Sequence, residues 1–283
     1  MNVVVSAAEK LYVAVNGLRR ALYRRGILRS KRLPHPVISI GNITAGGAGK
    51  TPAVIALAGE LTRRGAKVAV LTRGYGRPDT SREGVVEELD PSRFGDEPVL
   101  IKMRCQNVDV IVGANRYDNA IEYLKSQSCD IFILDDGFQH LAIARDLDIV
   151  IDAPDQAFHR EARRALAAAD IVIPRHLAVT VPEGVRNRPL FAFAGLADPA
   201  QFFETLRREG LDVRGTMPFP DHHRYTPADL QRIDDAAAAA GAAVLTTTEK
   251  DAVKLRRSDI IAVPAVFIFG PHVVERAAAL LDR

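Results

Sequence analysis

The sequence predicts an α/β fold with a doubly wound, mostly parallel sheet, followed by a second, smaller α/β domain. Short apolar runs rich in β-branched residues alternate with helix-forming segments along the chain. Several of these runs are apolar throughout, which is typical of parallel strands that are buried on both faces. The first run also enters a glycine-rich loop, and that loop leads directly into a helix-forming segment, residues 52–61.

The apolar runs and the turn residues between them give the order of the elements. We expect strands at 37–40, 67–71, 108–112, 130–134, 147–151, 170–173, 190–193, 243–246 and 265–269. Further helices are expected near 199–209, 227–241 and 273–282. Thr226 is the expected N-cap of the helix near 227–241, with Pro227 in its first position.

A change of composition near residues 174–190 suggests a domain boundary. Proline and glycine occur there among Arg and Asn without helical or strand periodicity. We therefore expect an N-terminal helix at 1–28, a core domain at 29–185 and a smaller α/β domain at 186–283.

Size and composition narrow the class of protein. The chain has 283 residues, of which 47% are hydrophobic, enough for a packed core. The net charge of +3 does not indicate a nucleic-acid partner, and none is expected. Cys105 and Cys129 fit no metal-binding spacing and are typical of reduced thiols in a cytosolic compartment. No run approaches the roughly 18 uncharged apolar residues that span a bilayer.

The N-terminal segment is strongly basic and amphipathic. Residues 1–36 carry eight Lys or Arg against one acidic residue, Glu9. Apolar side chains recur at helical spacing and form one stripe: Ala8, Leu11, Tyr12, Val15, Leu18 and Leu22. The arginines follow the apolar stretch, the reverse of the order in a signal peptide. Two interpretations remain: a helix packed on the domain surface, or an interfacial helix on an anionic membrane. Arg19 lies on the stripe and disfavours the second, unless its side chain snorkels.

The loop after the first predicted strand has the features of a phosphate-binding loop. Its Gly46, Gly47 and Gly49 allow backbone N–H groups to face a polyphosphate, and the following helix adds its positive end. Lys50 would reach the β- and γ-phosphates, and the Thr51 hydroxyl would ligate Mg²⁺. Thr44 stands where the strict pattern has glycine, so the alternative is a glycine-rich turn without a ligand. The loop favours a P-loop NTPase-like core.

Two adjacent acids end a buried run. Asp135 and Asp136 follow residues 130–134, at the strand end where open α/β sheets bind ligands. After a phosphate-binding loop, an acid at this place usually serves Mg²⁺. Two neighbouring carboxylates also repel each other unless a cation or a donor is close. The alternative is a pair of exposed loop acids.

Five further segments lie between strands and helices and carry charged side chains. Residues 73–77 place Arg73 and Arg77 around two glycines, and Arg116 follows another strand, so these arginines can meet a phosphate or form solvated turns. The turn at residues 95–98 is charged and is by itself a weak signal. His222 and His223 can bind a metal, act as bases or cap a helix. Lys250 can face a nucleotide or belong to a capping segment.

Together these segments resemble the tetraacyldisaccharide 4′-kinases, the lipid A 4′-kinases of Gram-negative bacteria. The resemblance runs in order from about residue 10 to 270, and Thr44 is no departure from it. Its most specific part is the segment Asp135-Asp136-Gly137-Phe138-Gln139-His140 combined with the P-loop. Relatives usually have a longer Pro- and Gly-rich stretch before an Arg-Glu pair, whereas here the corresponding segment is shortened to residues 153–161, with Glu161 in the place of the acid.

The resemblance implies ATP- and Mg²⁺-dependent phosphorylation of the 4′-hydroxyl of a lipid A disaccharide 1-phosphate, at the cytoplasmic face of the inner membrane, with an N-terminal helix on the anionic membrane surface. Asp96 would be the base, oriented by His222, and Lys50 would complete the catalytic set. Mg²⁺ would be held by Thr51, Asp135, Asp136 and Glu161. The nucleotide would contact Ala45, Gly46, Gly47, Ala48, Gly49, Lys50, Thr51, Pro52 and Lys250. The lipid substrate would contact Asn42, Arg73, Arg77, Arg116, Gly137 and His140.

Two alternatives from other functional classes stay open. A P-loop GTPase or metallochaperone would share residues 37–61, and its base-reading segment is loosely imitated by residues 248–251. A non-enzymatic, membrane-docked ATP switch would bind nucleotide without phosphorylating a lipid. Nucleotide preference tests the first alternative, and product formation tests the second.

Overall fold

The computed structural model describes residues 3–77, 83–154, 158–255 and 257–282. Its helices are α1 (Val3–Arg24), α2 (Lys50–Arg63), α3 (Pro91–Phe94), α4 (Asp96–Arg104), α5 (Arg116–Tyr123), α6 (Pro199–Arg208), α7 (Pro227–Ala239), α8 (Glu249–Ala252) and α9 (Pro271–Ala278), with 3₁₀ turns at Arg163–Ala168 and Glu183–Val185. Its strands are β1 (Val37–Gly41), β2 (Thr44–Ala45), β3 (Val68–Thr72), β4 (Gly84–Val85), β5 (Asp109–Val112), β6 (Ile131–Asp135), β7 (Leu147–Asp152), β8 (Phe158–His159), β9 (Ile171–Pro174), β10 (Leu177–Val179), β11 (Leu190–Gly195), β12 (Val213–Phe219), β13 (Val244–Thr248), β14 (Ile260–Val263) and β15 (Ala265–Phe267).

The larger sheet positions most of the predicted site residues. Within the described ranges it has seven strands in the order β4-β5-β3-β6-β1-β7-β9, all parallel except the short edge strand β4. Every residue of β1, β3 and β6 is buried, because helices cover both faces of a parallel sheet. Ile40 in β1 pairs with Asp135 in β6, so the P-loop and the two acids leave the same edge. The predicted α/β class with a mostly parallel sheet is confirmed.

A smaller parallel sheet follows, in the order β12-β11-β13-β14. Helices α6 and α7 pack on it, burying Phe202 and Leu206 from α6 and Ile233 from α7. Helix α7 begins with the expected N-cap Thr226, whose side chain accepts from the Asp229 backbone N–H while the Asp229 side chain accepts from Thr226.

The end of the chain returns to the larger sheet. Strand β15 pairs antiparallel with β10, and Phe267, Val273 and Ala277 are buried in the core of the larger sheet. The domain boundary expected between residues 185 and 186 stays a prediction. The terminal helix α9 lies beyond this boundary in sequence but packs on the core of the larger sheet.

Helix α1 leaves much of its apolar stripe uncovered. Leu11 is 67% exposed and Leu18 is 62% exposed, and Tyr12 and Val15 are also among the exposed large apolar residues. No helix among the described residues has the length and hydropathy needed to cross a membrane.

Candidate active site

The loop between β1 and α2 is shaped to receive an anion. Gly46 and Gly49 have φ angles of 116° and 83°, a left-handed conformation that glycine adopts without strain. Gly49 is also the N-cap of α2, and a glycine has no side chain that could cap this helix start. The first backbone N–H groups of a helix point away from its body and favour negative charge. The predicted nucleotide residues from Ala45 to Pro52 therefore lie in one continuous turn around an uncapped helix start.

Lys50 is held by polar groups beneath this loop. Its Nζ atom lies 3.3 Å from Oδ1 of Asn42 and 3.7 Å from Oδ1 of Asp136. Asn42 is completely buried and also donates to the Thr44 hydroxyl at 3.0 Å. Predicted as a substrate contact, Asn42 is placed by the structure as an internal support of the loop and its lysine.

Arg160 neutralises the second acid. It donates to both carboxylate oxygens of Asp136 at 2.8 Å and also hydrogen-bonds to Oδ1 of Asn42. Burial raises the pKa of Asp136, but the Lys50 charge and the Arg160 hydrogen bonds outweigh it and hold that pKa below its ordinary range. Asp136 therefore stays ionised, with two cations on one side.

The first acid has a different environment. Asp135 is buried at the end of β6, and its Oδ2 accepts from the Thr72 hydroxyl at 3.1 Å. Burial raises the pKa of Asp135 well above its ordinary range, and the negative charges of Glu97 and Asp136 raise it further. A buried carboxylate that faces other carboxylates is stabilised in its ionised form by a cation.

Glu161 is bound by side chains other than those that hold Asp135 and Asp136. Its two oxygens accept from Arg20 of helix α1 at 2.7 and 2.8 Å, and Gln139 donates to it at 3.0 Å. Arg20 thus engages both oxygens of Glu161, as Arg160 engages both oxygens of Asp136, and the predicted magnesium contact of Glu161 stays a prediction. Of the shortened segment at 153–161, residues 155–157 lie outside the described residues.

The two predicted catalytic side chains meet across the two sheets. Asp96 begins helix α4, and His222 follows β12 with a φ angle of 56°, unusual for a residue with a side chain. Nδ1 of His222 lies 3.2 Å from Oδ2 of Asp96, whereas His223 faces Asp229 at 3.1 Å. The pairing implied by the resemblance is therefore made by His222, between residues 126 positions apart.

Lys250 lies behind this pair. Its Nζ atom is 3.1 Å from Nε2 of His222, 3.1 Å from Asp221 and 3.5 Å from Glu97. Its predicted contact with the nucleotide stays a prediction, and the described contacts of its ammonium group are with the histidine turn and the start of α4.

The predicted substrate residues form a basic region beside the acids. Arg116 is buried and donates to the backbone oxygen of Asp136 at 3.3 Å. Burial, and then the charges of Arg116, Arg145, Arg19 and Arg73, lower the pKa of His140 to about 4. The imidazole is therefore neutral at pH 7 within a field of arginines.

The remaining two predicted substrate residues have structural surroundings. A Cβ atom on Gly137 would lie 2.6 Å from Leu134 Cβ and from Ser39 Oγ, so only glycine permits this approach. Arg77 is buried, and its Nη2 atom lies 4.0 Å from Glu83.

Comparison with known proteins decides the family. The sequence profile of the family described as tetraacyldisaccharide-1-P 4′-kinase matches residues 1–173 and 153–278 of this chain. The chain belongs to this family. The tetraacyldisaccharide 4′-kinase of Anaeromyxobacter sp. (strain Fw109-5) is 39% identical over 301 aligned positions, covering 88% of this chain and 81% of the relative. The enzyme of the same name from Anaeromyxobacter sp. (strain K) is 36% identical, covering 95% of this chain and 88% of the relative.

A solved structure agrees with the family assignment. LpxK from Aquifex aeolicus, crystallised in complex with ATP, superposes with a TM-score of 0.80 at 27% identity, covering 98% of each chain. The α/β class, the family resemblance and the prediction of a tetraacyldisaccharide 4′-kinase are confirmed.

The donor set of this family member suits Mg²⁺ better than a metal that needs a protein cage. Among the described residues, no three His, Cys, Asp or Glu side chains form a ready-made metal cluster. Mg²⁺ is usually held by one or two carboxylates together with substrate phosphates and water. The oxygens of Asp135, Asp136 and Thr51 are hard ligands of that kind. Burial and the charges of Glu97 and Asp136 raise the pKa of Asp135, although the charges of Arg116 and Lys50 oppose this shift.

Sequence reasoning missed several side chains that shape this kinase site. Arg160, Arg20, Glu97 and Lys254 were not predicted to belong to it. Glu97 and Arg160 are each next in sequence to a residue that was predicted to belong to the site. The sequence does not show which side chains these two residues contact. Arg20 and Lys254 act through contacts far along the chain, for which the local pattern carries no signal.

Proposed function

We propose that this chain transfers the γ-phosphoryl group of ATP to the 4′-hydroxyl of a tetraacyldisaccharide 1-phosphate, a lipid A precursor. One observation carries the proposal. Asp96 and His222 form a pair at 3.2 Å where the start of α4 meets the turn after β3, and Thr72 at the end of β3 donates to Asp135 at 3.1 Å. An acceptor for a hydroxyl proton thus lies next to the acids that flank the phosphate-binding turn.

The phosphate end of the reaction rests on charge and position. The uncapped start of α2 and the ammonium group of Lys50 bind the phosphates and neutralise charge that develops on them. Thr51, Asp135 and Asp136 would hold Mg²⁺. Mg²⁺ bound there would supply positive charge that offsets the negative charge of the phosphates.

The hydroxyl end needs a positioned base. Asp96 would accept the proton of the 4′-hydroxyl as this oxygen attacks the γ-phosphorus. Oδ2 of Asp96 is fixed by His222 at 3.2 Å and lies 3.7 Å from the ammonium group of Lys254. Lys254 is in turn held by Asp251 at 2.7 Å, so one positioned cation lies beside the carboxylate of Asp96.

The lipid substrate brings a 1-phosphate, and the basic region offers it a counter-charge. Arg73, Arg116 and neutral His140 supply N–H donors there. Asn42 supports the loop and Lys50, and Arg77 lies near Glu83. Their predicted contacts with the substrate stay predictions.

Helix α1 would lie on the anionic cytoplasmic surface of the inner membrane. Its exposed leucines would enter the acyl boundary, and its arginines would meet the headgroups. An acylated substrate would then reach the site without leaving the membrane surface.

The test is transfer of labelled phosphate. Purified protein receives γ-labelled ATP, Mg²⁺ and the disaccharide 1-phosphate in detergent micelles, and the lipid product is separated by thin-layer chromatography. We expect labelled lipid that depends on the substrate, and little label with GTP. Labelling from GTP in preference to ATP would support the GTPase alternative. Nucleotide binding without labelled lipid would support a switch and contradict the proposal.

A further inference from the structure

Both ring nitrogens of His222 have close polar partners. Nδ1 lies 3.2 Å from Oδ2 of Asp96, and Nε2 lies 3.1 Å from Nζ of Lys250. Nε2 also lies 3.9 Å from Oδ1 of Asp221, and the ring of Tyr75 stands edge-on at 5.5 Å. The imidazole is thus held between a carboxylate and an amine.

Lys250 is charged in this position. Burial lowers the pKa of Lys250, but the carboxylates of Glu97, Asp221 and Asp96 outweigh this effect and raise it above its ordinary value. An ammonium group has three donors and no acceptor. At 3.1 Å it can only donate to Nε2, which leaves the single proton of a neutral imidazole on Nδ1.

We propose that Lys250 is a positioning residue that fixes His222 as the neutral Nδ1–H tautomer, with this N–H directed at Oδ2 of Asp96. The inference rests on the proposed function, because the base role of Asp96 gives this hydrogen bond its catalytic use. It assigns Lys250 a task different from the nucleotide contact expected from the sequence.

The Nδ1–H tautomer of His222 determines which group accepts the proton of the 4′-hydroxyl. The 4′-O–H bond breaks, the oxygen forms a bond to the γ-phosphorus, and the bond from that phosphorus to the β–γ bridging oxygen breaks, which releases ADP. The proton goes to the carboxylate of Asp96. His222 does not receive it, because Nδ1 already carries a proton and the Nε2 lone pair accepts from Lys250. His222 therefore orients the base as a donor.

The backbone conformation around His222 permits the close contact between its ring and Lys250. A Cβ atom on Gly76, whose φ angle is 77°, would lie 3.1 Å from Nδ1 of His222. His222 itself has a positive φ angle, and the preceding Asp221 holds Lys250 at 3.1 Å. The turn thus places ring and ammonium group together.

The experiment reads the tautomer directly. The protein is labelled with ¹⁵N at its histidine rings, and two-bond correlation spectra of the nucleotide-free protein distinguish protonated from unprotonated ring nitrogens. A His222→Gln variant assigns the His222 signals among the seven histidines. We expect an Nδ1 signal of a protonated nitrogen and an Nε2 signal of an unprotonated one. A wild-type ring protonated at Nε2 would overturn the inference, whatever the variants do.

Variants then link the tautomer to catalysis. In Lys250→Met we expect Nε2 to gain the signature of a protonated nitrogen and kcat to fall at least about tenfold, with the KM for ATP unchanged. Lys250→Arg, which keeps a charged donor, should restore the wild-type ring signals and part of kcat. Lys125→Met, a surface lysine paired with Glu122, is the matched control and should change neither.

The two proposals fail in different ways. Absence of lipid labelling in the wild-type protein would contradict the proposed function. The ring signals of His222 would still test its tautomer. Lipid labelling together with unchanged ring signals in Lys250→Met would overturn the positioning role alone. A raised KM for ATP with unchanged ring signals in Lys250→Met would overturn the positioning role and support the predicted contact of Lys250 with the nucleotide.

Discussion

Arg20 of the N-terminal helix donates two hydrogen bonds to the buried carboxylate of Glu161, at 2.8 and 2.7 Å. The same guanidinium group lies 4.3 Å from the centre of the Phe138 ring and donates to the Phe138 backbone oxygen at 3.2 Å. Asn16 adds a hydrogen bond to the backbone oxygen of Arg160. Helix α1 is therefore attached to the segment whose Arg160 neutralises Asp136, so this exposed apolar helix and the candidate active site share one support.

Removal of Arg20 should weaken both the fold and the site. Arg20→Ala leaves the carboxylate of Glu161, only 3% exposed, without its ion partner, and such losses cost about 3–5 kcal/mol of unfolding free energy. Arg24→Ala, at the exposed end of the same helix, removes the same charge and should cost less than about 0.5 kcal/mol. Urea denaturation measures both variants. Equal stability of the two would show that the Arg20–Glu161 pair contributes nothing particular.

Lys50→Ala should abolish transfer and leave the fold intact. Lys50 contributes charge beside Asp136 and no core packing, and Arg160 still neutralises that acid. We expect a fall in kcat of roughly 10²–10³, typical for loss of one electrostatic donor. The rate of lipid labelling and the melting temperature are measured together. A variant that keeps more than about a tenth of the wild-type rate would remove the P-loop assignment.

The exposed leucines of α1 should govern attachment to vesicles. Leu11→Glu combined with Leu18→Glu places charge on the outer face and leaves the contacts of Arg20 unchanged. We expect less sedimentation with vesicles of anionic phospholipid, and partial release of the wild-type protein at high salt, because the attraction of the arginines is screened. Leu89→Glu, at an exposed leucine elsewhere, is the control. Equal sedimentation of all three proteins would favour the alternative of an ordinary surface helix.

His140 should make stability depend on pH. Burial and the neighbouring arginines lower its pKa to about 4 in the folded protein, from an ordinary value of 6.5. Between these values the unfolded chain binds a proton that the folded protein does not, so stability is lost as pH falls through this window. From pH 7.5 to pH 5, the wild type should lose ~2 kcal/mol more unfolding free energy than His140→Gln. Unfolding free energies are measured by urea denaturation. If the wild type and His140→Gln lose the same amount between pH 7.5 and pH 5, His140 is not held neutral in the folded protein.

The sequence predicted the parts of the fold that local pattern determines. Each apolar run named as a strand overlaps an observed strand, because strands buried on both faces need such runs. Strand β12 was missed, since it lies at a sheet edge, is only partly buried and contains Gly215 and Pro218. Strand β14 was missed as well, and it is the opposite edge of the same sheet.

For the site, the sequence showed which residue types were present but did not show which side chains contact one another. The P-loop and Asp135 are recognisable because each lies next to its own strand. The contact of Arg20 with Glu161 spans 141 positions, and no periodicity encodes it. Lys250 was assigned to the nucleotide on the basis of its neighbours in sequence, whereas its described ammonium contacts follow from how the two sheets meet.

We propose that Asp96 and His222 act as one unit on the attacking hydroxyl, and a double-mutant cycle of these two residues is the decisive measurement. The kcat for lipid labelling is measured for the wild type, Asp96→Asn, His222→Ala and the double variant. We predict a large fall in kcat for Asp96→Asn with little change in the KM for ATP, and a smaller fall for His222→Ala. The double variant should then be no slower than Asp96→Asn alone, because the histidine acts through the carboxylate. Losses that multiply independently would contradict this account and leave Asp96 as a base without His222.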